Sequence, residues 1–171
     1  NERRGMPVSS VREIAPRTLR FVGSDETLDR YRTVLKVGGW KLDAYRQNPV
    51  VMWCHENDKP PIGRAVSIEM QTREGGKPEL VFDVEFASPE TYDFADVIYR
   101  LYNGGFMRAV SVGFMPLKRR EMTKDEIEQY GGEGTILEEN ELYELSAVPV
   151  PGNPNALAKE LGIPDLSRVT R

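Results

Sequence analysis

Hydrophobic and polar positions alternate most cleanly in "ELVFDVEF", residues 79–86, where Leu80, Phe82, Val84 and Phe86 share one face and Val81, Asp83 and Glu85 the other. That two-residue period predicts a half-buried β-strand. Similar runs of β-branched and aromatic residues stop at glycine or proline: "LRFVGS", "YRTVLKVGGW", "PVVMWCH", "GRAVSIEMQTR", "FMRAVSVGFMPL" and "LYELSAVPV". "REGGKPE" joins two of these runs as a hairpin, with Gly75 and Gly76 available for positive φ. One segment changes period. Phe94, Val97, Ile98, Leu101 and Tyr102 recur at helical spacing behind Ser88, Pro89 and Glu90, and Gly104 closes the run. A second, short helix is predicted from Thr123, whose capping box uses Glu126 and whose stop is Gly131. About seven strands and few helices predict a mainly-β, α+β domain built as a barrel-like sheet.

The pattern also sets an organisation. Residues 1–17 are polar and contain Pro7 and Pro16, which reads as a mobile arm. Residues 18–158 read as one folded domain and 159–171 as a tail. Within the domain, 118–140 is a densely charged insert expected to be an exposed excursion. The 171 residues suffice for one domain with a real core. No apolar stretch reaches the roughly 18 residues of a membrane helix, and "NERRGMPVSS" lacks the apolar core of a signal peptide. The first residue is not Met, which reads as a processed or trimmed chain. A net charge of −4 argues against a nucleic-acid partner.

Candidate chemistry starts from "VMWCHENDKPPIGRA", which holds both the only cysteine, Cys54, and the only histidine, His55. A lone cysteine rules out an internal disulfide and fits a reducing compartment. Read as neighbours on a strand, Cys54 and His55 point to opposite faces, so they neither share a metal ion nor form a nucleophile–base pair. Cys54 reads as a buried, inert thiol, and neither a metal nor a cofactor is expected. Ser111, in the apolar run "RAVSVGF", is a hydroxyl where a strand seldom has one, and Gly113 leaves space beside it. Taken alone, Ser111 reads as either a structural serine or a nucleophile. In "ELYELSAVPVPGNP", alternation groups Leu142, Glu144 and Ser146 on one face and Glu141, Tyr143 and Leu145 on the other. A carboxylate here could orient a histidine.

The blocks "NPVVMWCH…PPIGR", "SVGF" and "ELSAVPVPGNPNA", in that order, resemble the prohead proteases of tailed bacteriophages, which are related in fold to the herpesvirus assemblins. The resemblance runs from about Phe21 to Ala156. It implies a β-barrel surrounded by helices, and a serine endopeptidase acting inside the immature capsid, in the host cytoplasm, on scaffold and capsid protein and on its own ends. His55 would be the general base, Ser111 the nucleophile and Glu144 the third member, with Glu141 the competing carboxylate. The resemblance also makes a homodimer plausible; neither a membrane nor a nucleic-acid partner is implied. The bend at Gly152 and Asn153 reads equally as a source of oxyanion-binding N–H groups and as a rigid turn. The competing function is a non-catalytic capsid-assembly module of the same fold; an acyl hydrolase of small substrates is a third.

Overall fold

The computed structural model of the chain describes residues 13–72 and 75–158. Most of the expected arm (residues 1–12) and all of the expected tail (159–171) lie outside the described residues. Eight strands are present: β1 (Thr18–Asp25), β2 (Thr33–Leu35), β3 (Trp40–Lys41), β4 (Val50–Trp53), β5 (Gly63–Thr72), β6 (Pro78–Phe86), β7 (Val110–Glu121) and β8 (Thr135–Ala147). Three helices accompany them: α1 (Asp43–Gln47), α2 (Asp93–Asn103) and α3 (Lys124–Tyr130).

All eight strands belong to one mixed sheet centred on β8. One edge of β8 pairs in parallel with β2, β3 and β4 in turn. Its other edge pairs along its length with antiparallel β7. From β4 the sheet continues through β5 and β6 to β1. The sheet curls until β1 and β7 face each other, and residues 156–158 bridge the remaining seam. There Val22 N–H donates to Leu157 O at 2.9 Å, Val110 N–H to Ala156 O at 3.0 Å and Ala158 N–H to Arg108 O at 2.7 Å. The result is a nearly closed barrel, as the sequence pattern predicts.

The interior is built from the inward faces of these strands. Leu80, Phe82, Val84 and Phe86 of β6 are all buried, as alternation requires. Phe21, Phe86 and Tyr102 meet edge-on or tilted, with ring centroids 5.0–6.5 Å apart. Tyr102 comes from α2, which turns Ala95, Ile98, Tyr99 and Tyr102 onto the barrel, a stripe at three- and four-residue spacing. Full burial of Ile98 alone is worth roughly 1.5–3 kcal/mol. The helix starts four residues later than Pro89 predicts. Ser88 caps a separate turn instead, its Oγ accepting Thr91 N–H at 3.3 Å.

Two further expectations change. The charged insert is less of an excursion than its composition implies, because β7 runs on to Glu121 and β8 starts at Thr135. Only α3 and its turns lie between them, and α3 carries the expected Thr123–Glu126 capping box. Arg120 ties this hairpin together through Glu126 at 2.7 Å and Glu138 at 2.8 Å. At the other end, Arg17 is fixed on the barrel: it pairs with Asp96 at 2.8 Å and lies 4.6 Å over the Tyr99 ring.

One irregularity positions the site. Gly113 pairs with Glu144 but Phe114 pairs with Leu142, so Tyr143 is an extra residue and β8 bulges. Leu142 and Leu145 are therefore both fully buried, although they are three positions apart. The expected grouping of Leu142 with Glu144 and Ser146 fails for this reason. Glu144 and Ser146 keep a common face, opposite to the core.

Candidate active site

β4 ends at Trp53, two residues earlier than the run "PVVMWCH" predicts. Cys54 and His55 then adopt left-handed backbone conformations, with φ of 48° and 60°. Such conformations cost about 1–3 kcal/mol each for residues with a Cβ and persist only when the surroundings enforce them. Here two hydrogen bonds to β8 enforce them, beside the local bond from Glu56 N–H to Trp53 O at 2.9 Å. Cys54 N–H donates to Ala147 O at 3.0 Å, and His55 N–H to the Ser146 hydroxyl at 3.0 Å. Cys54 and His55 thus do not alternate on a strand as expected; both sit in a turn. Cys54 is only partly buried, not enclosed, and burial still pushes its thiol up, with Glu56 adding to the shift.

This turn lays the His55 ring against β8, where Nδ1 meets Glu144 Oε1. Glu144 is buried, and its second carboxylate oxygen accepts from Ser146 Oγ at 2.6 Å. The hydrogen bond that His55 donates to Glu144 raises the pKa of His55 above its usual 6.5; burial opposes it, and the Glu144 charge adds to it. The imidazole itself stays 44% exposed on its other side. With Nδ1 engaged by the carboxylate, the free Nε2 is the atom that can trade a proton with a neighbour.

Room for the carboxylate comes from Gly113. A Cβ built there would stand 2.8 Å from Glu144 Cδ and Cγ and closer still to Oε1. The sequence reading leaves this space open; the structure fills it with the Glu144 side chain.

Ser111 pairs with Ser146 across the β7–β8 ladder, so it shares a face with Ser146, Glu144 and Gly113. No hydrogen bond joins Ser111 to His55 among the described residues. Ser111 also borders a cavity of about 300 Å³ in the seam between β1 and β7, walled by Gly23, Tyr31, Val112, Phe114, Asn153 and Ala156 among others. Of the two bend residues, Asn153 reaches this cavity and Gly152 does not line it. The bend is pinned by side chains: Asn153 and Asn155 donate to the two oxygens of Asp25 at 2.8 and 2.9 Å. Burial raises the Asp25 carboxyl, but these amides and Thr27 more than offset it and leave its pKa below the ordinary value. Glu141 stands beyond the bulge, paired with Lys41 and Met115. The structure therefore brings His55, Glu144 and the strand position of Ser111 together; the bulge turns Glu141, opposite Met115, onto the same face, contrary to the expected alternation, but no hydrogen bond joins it to His55 among the described residues.

Comparison with known proteins is consistent in direction. Residues 14–163 match the family model described as Caudovirus prohead serine protease. The prohead protease of Escherichia phage T5 is 28% identical over 140 residues, which cover 78% of this chain and 59% of that protein. The chain thus spans less than two thirds of the length of that relative. No solved structure matches.

Proposed function

From the chain's membership of the caudovirus prohead serine protease family, we propose that it is a serine endopeptidase that cleaves capsid protein and its scaffold segment inside the prohead, and trims itself. The observation that carries this reading is the His55 imidazole held on the buried Glu144 carboxylate, on the face that also carries Ser111. In this reading Ser111 Oγ attacks the scissile carbonyl while His55 Nε2 takes the hydroxyl proton. Glu144 orients the ring through Nδ1 and stabilises the imidazolium that forms. The C–N bond breaks as Nε2 returns the proton to the leaving amine. Water then repeats the sequence on the acyl-enzyme, and His55 again takes and returns the proton. Ser146 is no substitute nucleophile, because its hydroxyl is fully buried and donated to Glu144. The backbone N–H of Asn153 on the cavity wall is the donor for the developing oxyanion in this scheme, its side-chain amide being held by Asp25, and Gly152 contributes to the shape of the bend.

Incubation with the cognate capsid and scaffold proteins tests the reading. Wild type should cleave both, and Ser111→Ala should leave both intact while keeping its melting temperature. A hydroxyl in a merely structural role would cost about 1 kcal/mol and no activity. Full cleavage by folded Ser111→Ala would refute the assignment, and a non-catalytic assembly module of this fold would show no cleavage by either protein.

A further inference from the structure

We propose that Ser146 is a positioning residue that fixes His55 and Glu144 relative to each other through a single oxygen. The proposal rests on the roles assigned above to His55 and Glu144.

Three hydrogen bonds form a closed ring. Ser146 Oγ donates to Glu144 Oε2 at 2.6 Å and accepts from His55 backbone N–H at 3.0 Å, while Glu144 Oε1 holds His55 Nδ1. A hydroxyl has one donor and two acceptor sites, so both tasks suit one serine. Ser146 has no exposed surface, and neither bond can be replaced by bulk water without opening the site. Each bond also has a separate reason to exist. The carboxylate is buried, and an oxygen left without a donor there drives the side chain to reorient towards solvent. The His55 N–H lies past the end of β4, where the ladder offers no carbonyl after Ala147. Without Ser146 the left-handed turn at Cys54–His55 loses one of the three bonds that hold it, keeping only Cys54 N–H to Ala147 O and Glu56 N–H to Trp53 O. The chain thus couples a backbone conformation to a carboxylate rotamer, and the imidazole is fixed at its root and at its Nδ1 together.

The test uses the full chain with the cognate capsid–scaffold substrate, and the ring signals of the sole histidine by NMR. A misplacement of about 1 Å costs about 100-fold in rate, so Ser146→Ala should lose about that much in kcat with KM little changed. Ser146→Thr, which keeps the hydroxyl, should recover most of the loss. In the Ser111→Ala background, which removes cleavage, Ser146→Ala should shift the His55 titration midpoint down towards about 6.5, as the ring loses its fixed carboxylate. An unchanged midpoint, or equal losses in the Ala and Thr variants, would overturn the proposal. Cleavage by Ser111→Ala would instead sink the underlying reading, whatever the Ser146 variants do.

Discussion

Replacing Gly113 by alanine adds one methyl group at the point where the Glu144 carboxylate lies across β7. The backbone at Gly113 is ordinary strand and its φ is not in the left-handed range, so alanine meets no conformational penalty. Judged by the main chain alone, the change should stabilise the protein by about 0.4–1 kcal/mol. The methyl would, however, sit 2.8 Å from Glu144 Cδ and Cγ. Glu144 must leave its place, breaking its bonds to His55 and to Ser146. Hydrogen bonds to charged groups are worth about 1.5–3 kcal/mol, and the half-exposed histidine side counts for less. A net loss of roughly 1–3 kcal/mol follows, and at about 2–4 °C per kcal/mol for a chain of this size the melting temperature falls by several degrees. Activity should suffer far more. A serine–histidine site without its orienting acid loses about 10³–10⁴-fold, or about 4–5.5 kcal/mol of barrier. The decisive assay is a double-mutant cycle on cleavage rate with Glu144→Ala. Once Glu144 is truncated, the methyl has nothing to displace, and Gly113→Ala should cost almost nothing further. Losses that multiply independently, or a fully active single variant, would refute the steric argument.

Other outcomes follow from the same contacts. With His55 as the proposed base and Glu144 raising its pKa, kcat/KM should fall on acidification through a midpoint above about 6.5; a flat profile from pH 5 to 8 would exclude His55 as base. The linked stability runs the other way: the charged pair stabilises fully below the unfolded value of about 6.5, and this is lost as pH rises through the folded pKa, as thermal melts at pH 6 and 8 would show. Glu144→Gln should lower turnover by orders of magnitude with the fold intact, whereas Glu141→Gln should leave cleavage rates near wild type. Tyr102→Phe removes a buried donor 2.5 Å from Ala109 O and should cost about 1–2 kcal/mol in a denaturation measurement.

How much of this was legible beforehand differs from element to element. β6 could be read for its inward face, because Leu80, Phe82, Val84 and Phe86 repeat at a two-residue period; that Glu79 and Val81 on the other face are buried too was not legible. The α3 capping box is equally local, and it forms as written. The turn at Cys54–His55 has no local signal. Positive φ carries a Cβ penalty at both residues, and beside the local Glu56 N–H to Trp53 O bond the conformation is held by Ser146 and Ala147 from the far end of the sequence. The bulge at Tyr143 is hidden for a similar reason: it shows only when β7 and β8 are laid side by side. Ser88-Pro89-Glu90 carries a genuine start signal, but it is spent on a turn, and packing of Ala95 and Ile98 decides where the helix begins. The charge of the insert masked two strand extensions, because Arg120, Glu126 and Glu138 satisfy one another. His55, Ser111 and Glu144 stood out as a set only through the family resemblance. The bonds of Ser146 to His55 and Glu144 needed the geometry.

The bond between His55 and Ser146 joins positions 91 residues apart, and β8 is the last of the eight strands described. Contacts of such long range carry a large closure entropy and form late in folding. A ribosome making this chain emits the imidazole first and the oxygens that hold it much later. Until β8 has emerged and docked between β4 and β7, His55 is an ordinary solvated histidine after a four-residue strand. A truncated product ending before Glu144 is in the same condition permanently. The succession of elements along the chain therefore leaves the imidazole without its carboxylate and hydroxyl partners in any molecule that ends before Glu144.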